Sequence, residues 1–478
     1  MGDDGIATFY LYFDVIKGPQ IVKSIGTVQF TEDDLISLKI CSFPDTAVQS
    51  LTESIIFVFT IRKYYCYCIF STISDQKANR GYRQFSYVIA TTLPYFYPFT
   101  RILHSAMSIF YYMDENDILL LISDFVSKSL LNFPKEIGSD NEIPTLDGGL
   151  PVALAPSLTE LLDFTADIGW SAQCKKYFLN SNFLGIDLIN ALSINQLIKN
   201  GTIGDIFRLW TSAVAGETIM IYGANPRVTS AAALGISSLL FPEPVPTNLY
   251  PYASVSDPRF KIITNNKIKP GTIIGFSNPI VLQSSLSFDL TFVTGFNNGD
   301  DGLRISRHSG CPSLSSSKPI TNSRIRHFFY KNTLKVTETI NTCLQHLREE
   351  NPYAEFAAKI NPNVMADVLS EKGVQISSSF TYKEFASKLI HSPFFYNIWH
   401  RRCNSSSLLA TLKHFSVDSL CEGRTEHELI DIRSMIQFAK DKCTENKCLK
   451  EIIDADLTTI TLRLSPNAII ARAIMDSK

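Results

Sequence analysis

The 478-residue chain offers few residues at spacings that could do chemistry. Its ten cysteines include no C-x-x-C pair. Cys66 and Cys68 alternate along an aromatic run, and Cys443 and Cys448 stand five apart, so neither pair has structural-zinc spacing. A nucleophilic serine would need a G-x-S-x-G elbow, a zinc hydrolase an H-E-x-x-H helix, and a calcium loop its regular acidic ladder. The sequence contains none of these. Adjacent carboxylates occur at Asp33-Asp34, Asp300-Asp301 and Glu349-Glu350. Each pair falls at an expected helix start, loop or helix end, so a solvated role is expected rather than acid–base work. His391 and His400 flank aromatic helix positions and read as structural.

Phosphate binding is the next chemistry to weigh. Gly223-Ala224-Asn225-Pro226 follows a strand and precedes a helix, where a phosphate loop would sit. The stretch lacks G-x-x-x-x-G-K-[ST] and G-x-G-x-x-G, and Gly201-Thr202-Ile203-Gly204 is a lone glycine pair. A tight strand-to-helix connection is the better reading. No catalytic residue, metal ligand or cofactor is assigned. What remains are groups suited to recognition. Lys77, Arg80 and Arg83 make a basic hairpin tip, and Tyr82, Tyr95 and Trp399 sit beside turns, prolines or arginines. Arginine and aromatics anchor interfaces, although solvation of the tip and core packing of the rings are the plainer readings.

The elements that would position these groups follow from periodicity. Ile206, Leu209, Trp210 and Ala213 fall at helical spacing, with Gly216 as the stop. Residues 217–222 read as a buried strand, and Thr229 as the N-cap of a small-residue helix over 230–240. Further strands are expected at 259–264 and 271–276, with Asn278-Pro279 ending the second and a helix possible over 280–286. Upstream, 6–16 and 21–25 form a hairpin about Lys17-Gly18-Pro19-Gln20. Thr31 caps a helix over 34–41, and strands follow at 54–61, 64–73 and 85–91. Helices are expected at 99–111 and 117–130, a linker at 137–160, and an exposed loop at 296–322. From residue 324 the pattern is helical, with helices at 324–349, 381–390, 393–402, 408–415 and 427–442.

Composition agrees with a folded chain. It is 45% hydrophobic and 19% charged, which excludes global disorder. A net charge of −2 gives no general attraction to nucleic acid or anionic membrane. The N-terminus lacks a signal-peptide pattern, Ile6 breaks the myristoylation pattern, and no apolar run approaches the ~18 residues of a membrane span. A reducing, cytosolic compartment is expected, which makes the sequons at Asn200 and Asn404 chance matches.

The order of motifs resembles DENN-domain proteins. "AGETIMIYGANP", "SAAALGISSL", "YPYASVSDPRF" and "GTIIGFSNPIV" resemble the family's central module. "FDVIKGPQIV", "SFPD" at 42–45 and "RGYRQFSYVIATTLPYFYPF" at 80–99 resemble its first, longin-like lobe. "FASKLIHSPFFYNIWHRRC", "LLATLKHFSVDSLCE" and "LTTITLRLSP" resemble the tail of the sixth numbered subgroup. The stretch of roughly 112–200 has no counterpart among these motifs.

The resemblance implies an α/β plus α+β, tripartite fold. Its parts are a longin-like lobe over 1–135, an interlobe linker with connecting helices over 136–200, a central α/β sheet domain over 201–322 and a helical region over 323–478. It also implies a guanine-nucleotide exchange factor for a Rab-type small GTPase in membrane traffic, without a chemical step of its own. Such a protein would be cytoplasmic and peripheral on recycling endosomes. Alternatives are a scaffold or effector that binds the GTP form, and a GTPase-activating protein with an arginine finger, for which no local motif speaks. The GTPase would meet both lobes. The candidate contacts are Arg80 and Tyr82 on the first lobe, and Asn225, Pro226, Asn278 and Pro279 in the loops after the central strands, the ligand side of an α/β sheet.

Overall fold

The computed structural model describes residues 6–45, 54–76, 80–92, 99–100, 103, 204–243, 248–260, 268–283, 287–294, 322–357, 359–403, 405–443 and 447–464. The expectations for 117–130 and 137–160 lie outside these residues, as do most of 99–111 and of the 296–322 loop. The chain divides into two compact units, one of residues 1–333 with 376–379, the other of 334–375 with 380–478.

The first unit opens on β1 (Ile6–Asp14), β2 (Gly18–Gly26), β3 (Ile55–Ile61), β4 (Tyr64–Ser74) and β5 (Tyr82–Thr91). These β-branched and aromatic runs form an antiparallel sheet in the order β2-β1-β5-β4-β3. Alternate residues share a face. Phe9, Leu11, Phe57, Phe59, Cys66, Cys68, Phe70 and Val88 make one buried cluster with Leu38 and Cys41 of α1 (Glu32–Cys41). On the other face the paired residues Tyr10 and Tyr87 stack, and Tyr67 packs on Phe99.

Helix α1 starts where the sequence placed its cap. Thr31 Oγ1 accepts from the Asp34 N–H, and Asp34 Oδ2 accepts from the Thr31 N–H at 2.9 Å. Arg62, in the β3–β4 turn with φ of 52°, adds an ion pair to Asp34 at 2.9 Å. Asp34 is therefore buried and paired, which corrects the expectation of a solvated Asp33-Asp34 pair. A reciprocal capping carboxylate has to fold back on its own backbone, and Asp33, which does not, stays exposed. Glu349, near the end of its helix, is exposed as expected.

The same unit continues with α2 (Gly204–Val214), whose Ile206, Phe207, Leu209 and Trp210 are buried. Gly216, at φ of 75°, ends the turn. Next come β6 (Ile219–Gly223), α3 (Pro226–Ser238), β7 (Leu249–Tyr250), β8 (Ile273–Phe276), α4 (Ile280–Gln283) and β9 (Leu290–Thr294). They build a parallel sheet in the order β7-β8-β6-β9. Strands β7 and β9 go beyond the sequence expectations.

Two expectations are corrected here. The N-cap of α3 is Asn225, not Thr229. Asn225 is extended, its side chain accepts from the Val228 N–H at 3.1 Å, and Pro226 occupies the first turn, where its missing N–H costs nothing. Thr229 lies inside the helix, its hydroxyl donating to Asn225 O at 2.9 Å. The expected strand from Arg259 begins instead as a helical turn at 258–260. Asp257 starts it by accepting the Arg259 N–H at 2.9 Å, just before Pro258.

The second unit is helical throughout its described residues. Helix α5 (Asn322–Glu350) contains the boundary between units. After it come α6 (Ala354–Ala357), α7 (Pro362–Glu371), α8 (Tyr382–Leu389) and α9 (Pro393–Cys403). The chain goes on through α10 (Ser406–Lys413), α11 (Val417–Cys421), α12 (Glu426–Lys442) and α13 (Lys447–Arg463). Glu355 is fully buried, paired with Arg348 at 2.5 Å and Arg402 at 2.6 Å. Trp399 is core, as expected, and donates from Nε1 to Glu355 O at 2.8 Å. Among the described residues no helix is long and apolar enough to cross a membrane.

Candidate partner-binding surface

The hairpin tip between β4 and β5 is closed by the Asp75 N–H donating to Gly81 O at 2.9 Å and by an Arg83–Asp75 ion pair at 2.8 Å. Arg83 is thus committed to the turn. Arg80 is exposed, with its guanidinium 5.5 Å above the Phe13 ring, and Tyr82 is half-buried at the first position of β5. Lys77 and Tyr95 lie outside the described residues. Beside the tip, the β1–β2 turn displays Val15 and Ile16, the latter 92% exposed. Asp14 Oδ1 holds that turn by accepting the Ile16 and Lys17 N–H groups, each at 2.8 Å.

The central candidates occupy the carboxyl ends of two adjacent parallel strands. Tyr222 of β6 pairs with Phe276 of β8, which brings the loops that follow side by side. Asn225 is half-buried and capping, and Pro226 is buried in the first turn of α3. Asn278 Oδ1 accepts the Ile280 N–H at 3.0 Å. Pro279, Ile280 and Leu282 are exposed, whereas Val281 turns into the core. Pro226 can shape its loop but offers little surface. The loop at 278–282 presents apolar surface of the kind that marks contact sites.

A short segment ties the two regions together. Phe43 packs edge-on against Phe13 at 5.6 Å, beneath the ring–guanidinium contact of Arg80. Two residues on, Asp45 Oδ2 accepts from Ser254 Oγ at 2.6 Å and from the Val255 N–H at 3.0 Å. The Asp45 N–H donates to Tyr252 Oη at 2.9 Å, and its carbonyl accepts from Ser277 Oγ at 3.0 Å. Ser277 immediately precedes Asn278. Gly275 permits this close packing, since a Cβ there would stand 2.3 Å from Pro251 O.

Deeper in the same seam Arg259 forks onto Asp257 at 2.9 and 2.5 Å and donates to Thr60 O at 2.6 Å. Ser37 Oγ and Cys41 Sγ donate to the same carboxylate at 3.0 and 3.1 Å. A thiol beside a carboxylate and an arginine resembles a nucleophile site, but its electrostatics are wrong for one. Burial pushes the Cys41 thiol far up and Asp257 adds to this, so the thiolate does not form. Burial also pushes the Asp257 carboxyl up, but hydrogen bonds and charge from Arg259 more than offset it and leave it below the usual range. This is a closed structural ion pair. Among the described residues no group of three or more His, Cys, Asp or Glu could hold a metal ion.

The seam contains what residue-level reasoning missed. "SFPD" and "SDPRF" were visible as an ordered motif set, but nothing in either shows that Asp45 meets Ser254 and Ser277, or Asp257 meets Ser37.

No family model matches the chain. Among curated proteins, it is 23% identical over 225 residues to Protein DENND6B of Mus musculus, covering 46% of this chain and 36% of that relative. It is 24% identical over 236 residues to Protein DENND6B of Homo sapiens and 21% over 228 residues to Protein DENND6A of Mus musculus, with coverage of 46% of this chain in both. The match thus spans little more than a third of each relative's length. The described fold is mixed α/β, with an antiparallel sheet, a parallel sheet and C-terminal helices. The sequence motifs and these matches together show that the chain resembles DENN-domain proteins, and among them the DENND6 subgroup.

Proposed function

We propose that the chain is a guanine-nucleotide exchange factor for a Rab-type small GTPase in membrane traffic, acting without a chemical step of its own. It works in the cytoplasm and meets recycling endosomes through its GTPase. Its organisation is tripartite, with a longin-like lobe over 1–135, a central sheet domain over 201–322 and a helical region over 323–478, the first two joined by an interlobe linker and connecting helices over 136–200.

One observation supports this reading above the others. The exposed Arg80 tip and the apolar turn at 278–282 are both tied to one segment, 43–45. An exchange factor needs such a surface. It must bind the nucleotide-free GTPase more tightly than the GDP form, and linkage then weakens nucleotide binding by the same factor. Arg80, Tyr82, Asn225, Asn278 and Pro279, with Ile16, Ile280 and Leu282, are the contacts we assign. Pro226 holds the α3 turn in shape behind them.

The test is release of fluorescent GDP from a panel of purified Rab GTPases. Wild type should accelerate release from at least one. The Arg80→Ala/Tyr82→Ala double variant should weaken engagement by ~2 kcal/mol while remaining folded. Preferential binding to the GTP form without faster release would replace this reading with an effector role. Faster GTP hydrolysis would replace it with an activating one.

A further inference from the structure

We infer that Asp45 is a positioning residue of this surface, setting the loop at 277–283 against the Arg80 tip so that both can engage one partner. The inference rests on the exchange reading and adds to it the residue that fixes the geometry.

Four hydrogen bonds converge on Asp45, and all reach more than 200 residues along the chain. The side chain holds the 254–255 backbone turn, the N–H holds Tyr252, and the carbonyl holds Ser277. Phe43, two residues earlier, carries the ring that packs on Phe13 under Arg80. Two residues of extended chain span at most ~7 Å, so the part of the link between Phe43 and Asp45 has little slack. The next link is equally direct. Ser277 is buried, Asn278 Oδ1 accepts the Ile280 N–H just ahead of α4, and Ile280 and Leu282 are exposed side chains of that turn.

A positioning role separates from a folding role because the parts can be removed one at a time. The Ser277 hydroxyl reaches the Asp45 carbonyl through a single hydrogen bond and also faces the Tyr252 hydroxyl; deleting it leaves the Asp257–Arg259 pair and the bond from the Asp45 N–H to Tyr252 Oη. Ser277→Ala, Ser277→Thr and Asp45→Asn would be made in the full chain. Each would be assayed by GDP release across a concentration series, by hydrogen exchange of the peptide covering 277–283, and by thermal unfolding.

Ser277→Ala is expected to lower the release rate at saturation about tenfold, the scale of one lost hydrogen bond. Its half-saturating concentration should move less than about threefold, and its unfolding temperature by no more than ~3 °C. Faster exchange should be confined to 277–283, and Ser277→Thr, which keeps the hydroxyl, should restore the rate. Asp45→Asn keeps its backbone bonds and should fall between. The inference is overturned if Ser277→Ala releases GDP at the wild-type rate, if exchange in 277–283 is unchanged, or if the rate falls only in step with global unfolding. A wild-type chain that releases GDP from no GTPase overturns the exchange reading and this role with it. Wild-type activity with an indifferent Ser277→Ala overturns this role alone.

Discussion

Trp210 shows what a single side chain contributes. Its ring is wholly buried between Phe207 and Phe329, and Nε1 donates to Thr333 Oγ1 at 3.0 Å. Trp210→Ala should lower the unfolding free energy by ~3–5 kcal/mol in denaturant titration, because packing is lost and the buried Thr333 hydroxyl loses its donor. Helical spacing alone marked this residue as core. Its partner, 123 residues away, leaves no trace in local pattern. The cysteines divide in the same physical terms. Burial raises the thiols of Cys41, Cys66 and Cys68, and raises Cys343 to about 11 and Cys403 to about 12, whereas Cys448 is exposed. Brief alkylation at neutral pH, read by mass spectrometry, should modify Cys448 and spare Cys41, Cys66, Cys68, Cys343 and Cys403 until the chain is denatured.

Helix starts are the element-level features most legible in the sequence, and also where it misled. At α1 the pairing of Thr31 with an acidic residue three positions later was readable, and the capping box is present. Thr31→Ala should destabilise the fold by ~1 kcal/mol, and Asp34→Ala by somewhat more because Arg62 also loses its partner. Chemical denaturation checks both. Faster amide exchange should appear first at the amino end of α1. At α3 two cap-type residues compete, Asn225 and Thr229. The choice between them depends on Pro226 fitting the first turn and on the backbone of Asn225 being extended, neither of which side-chain type alone reveals. The two-residue β7 is too short for any alternation to show, and its place in the sheet comes from its pairing with β8.

On the scale of the whole molecule, the Asp257–Arg259 seam gives folding a pH dependence. Asp257 sits below its usual range when folded, so its contribution is complete above the unfolded carboxylate value of ~3.9 and is lost as pH falls through the lower folded value. Thermal unfolding of wild type should therefore weaken below about pH 4. Asp257→Asn should be less stable at neutral pH and show a shallower acid limb. Apart from β7, β9 and the helical turn at 258–260, the expected strands and helices follow from periodicity, whereas the seam joins residues with no periodic relation. Thr60 meets Leu249 after 189 residues and Asp45 meets Ser277 after 232. That separation is also a delay. Chains grow at about 5–20 residues per second, so the antiparallel sheet and α1 leave the ribosome ~8–32 s before Tyr252 does. Tyr252 belongs to their buried cluster, packed edge-on against Phe57 at 5.2 Å. Until it arrives, the sheet and α1 lack the ring that covers Phe57 in the finished fold, and that apolar surface stays open to water.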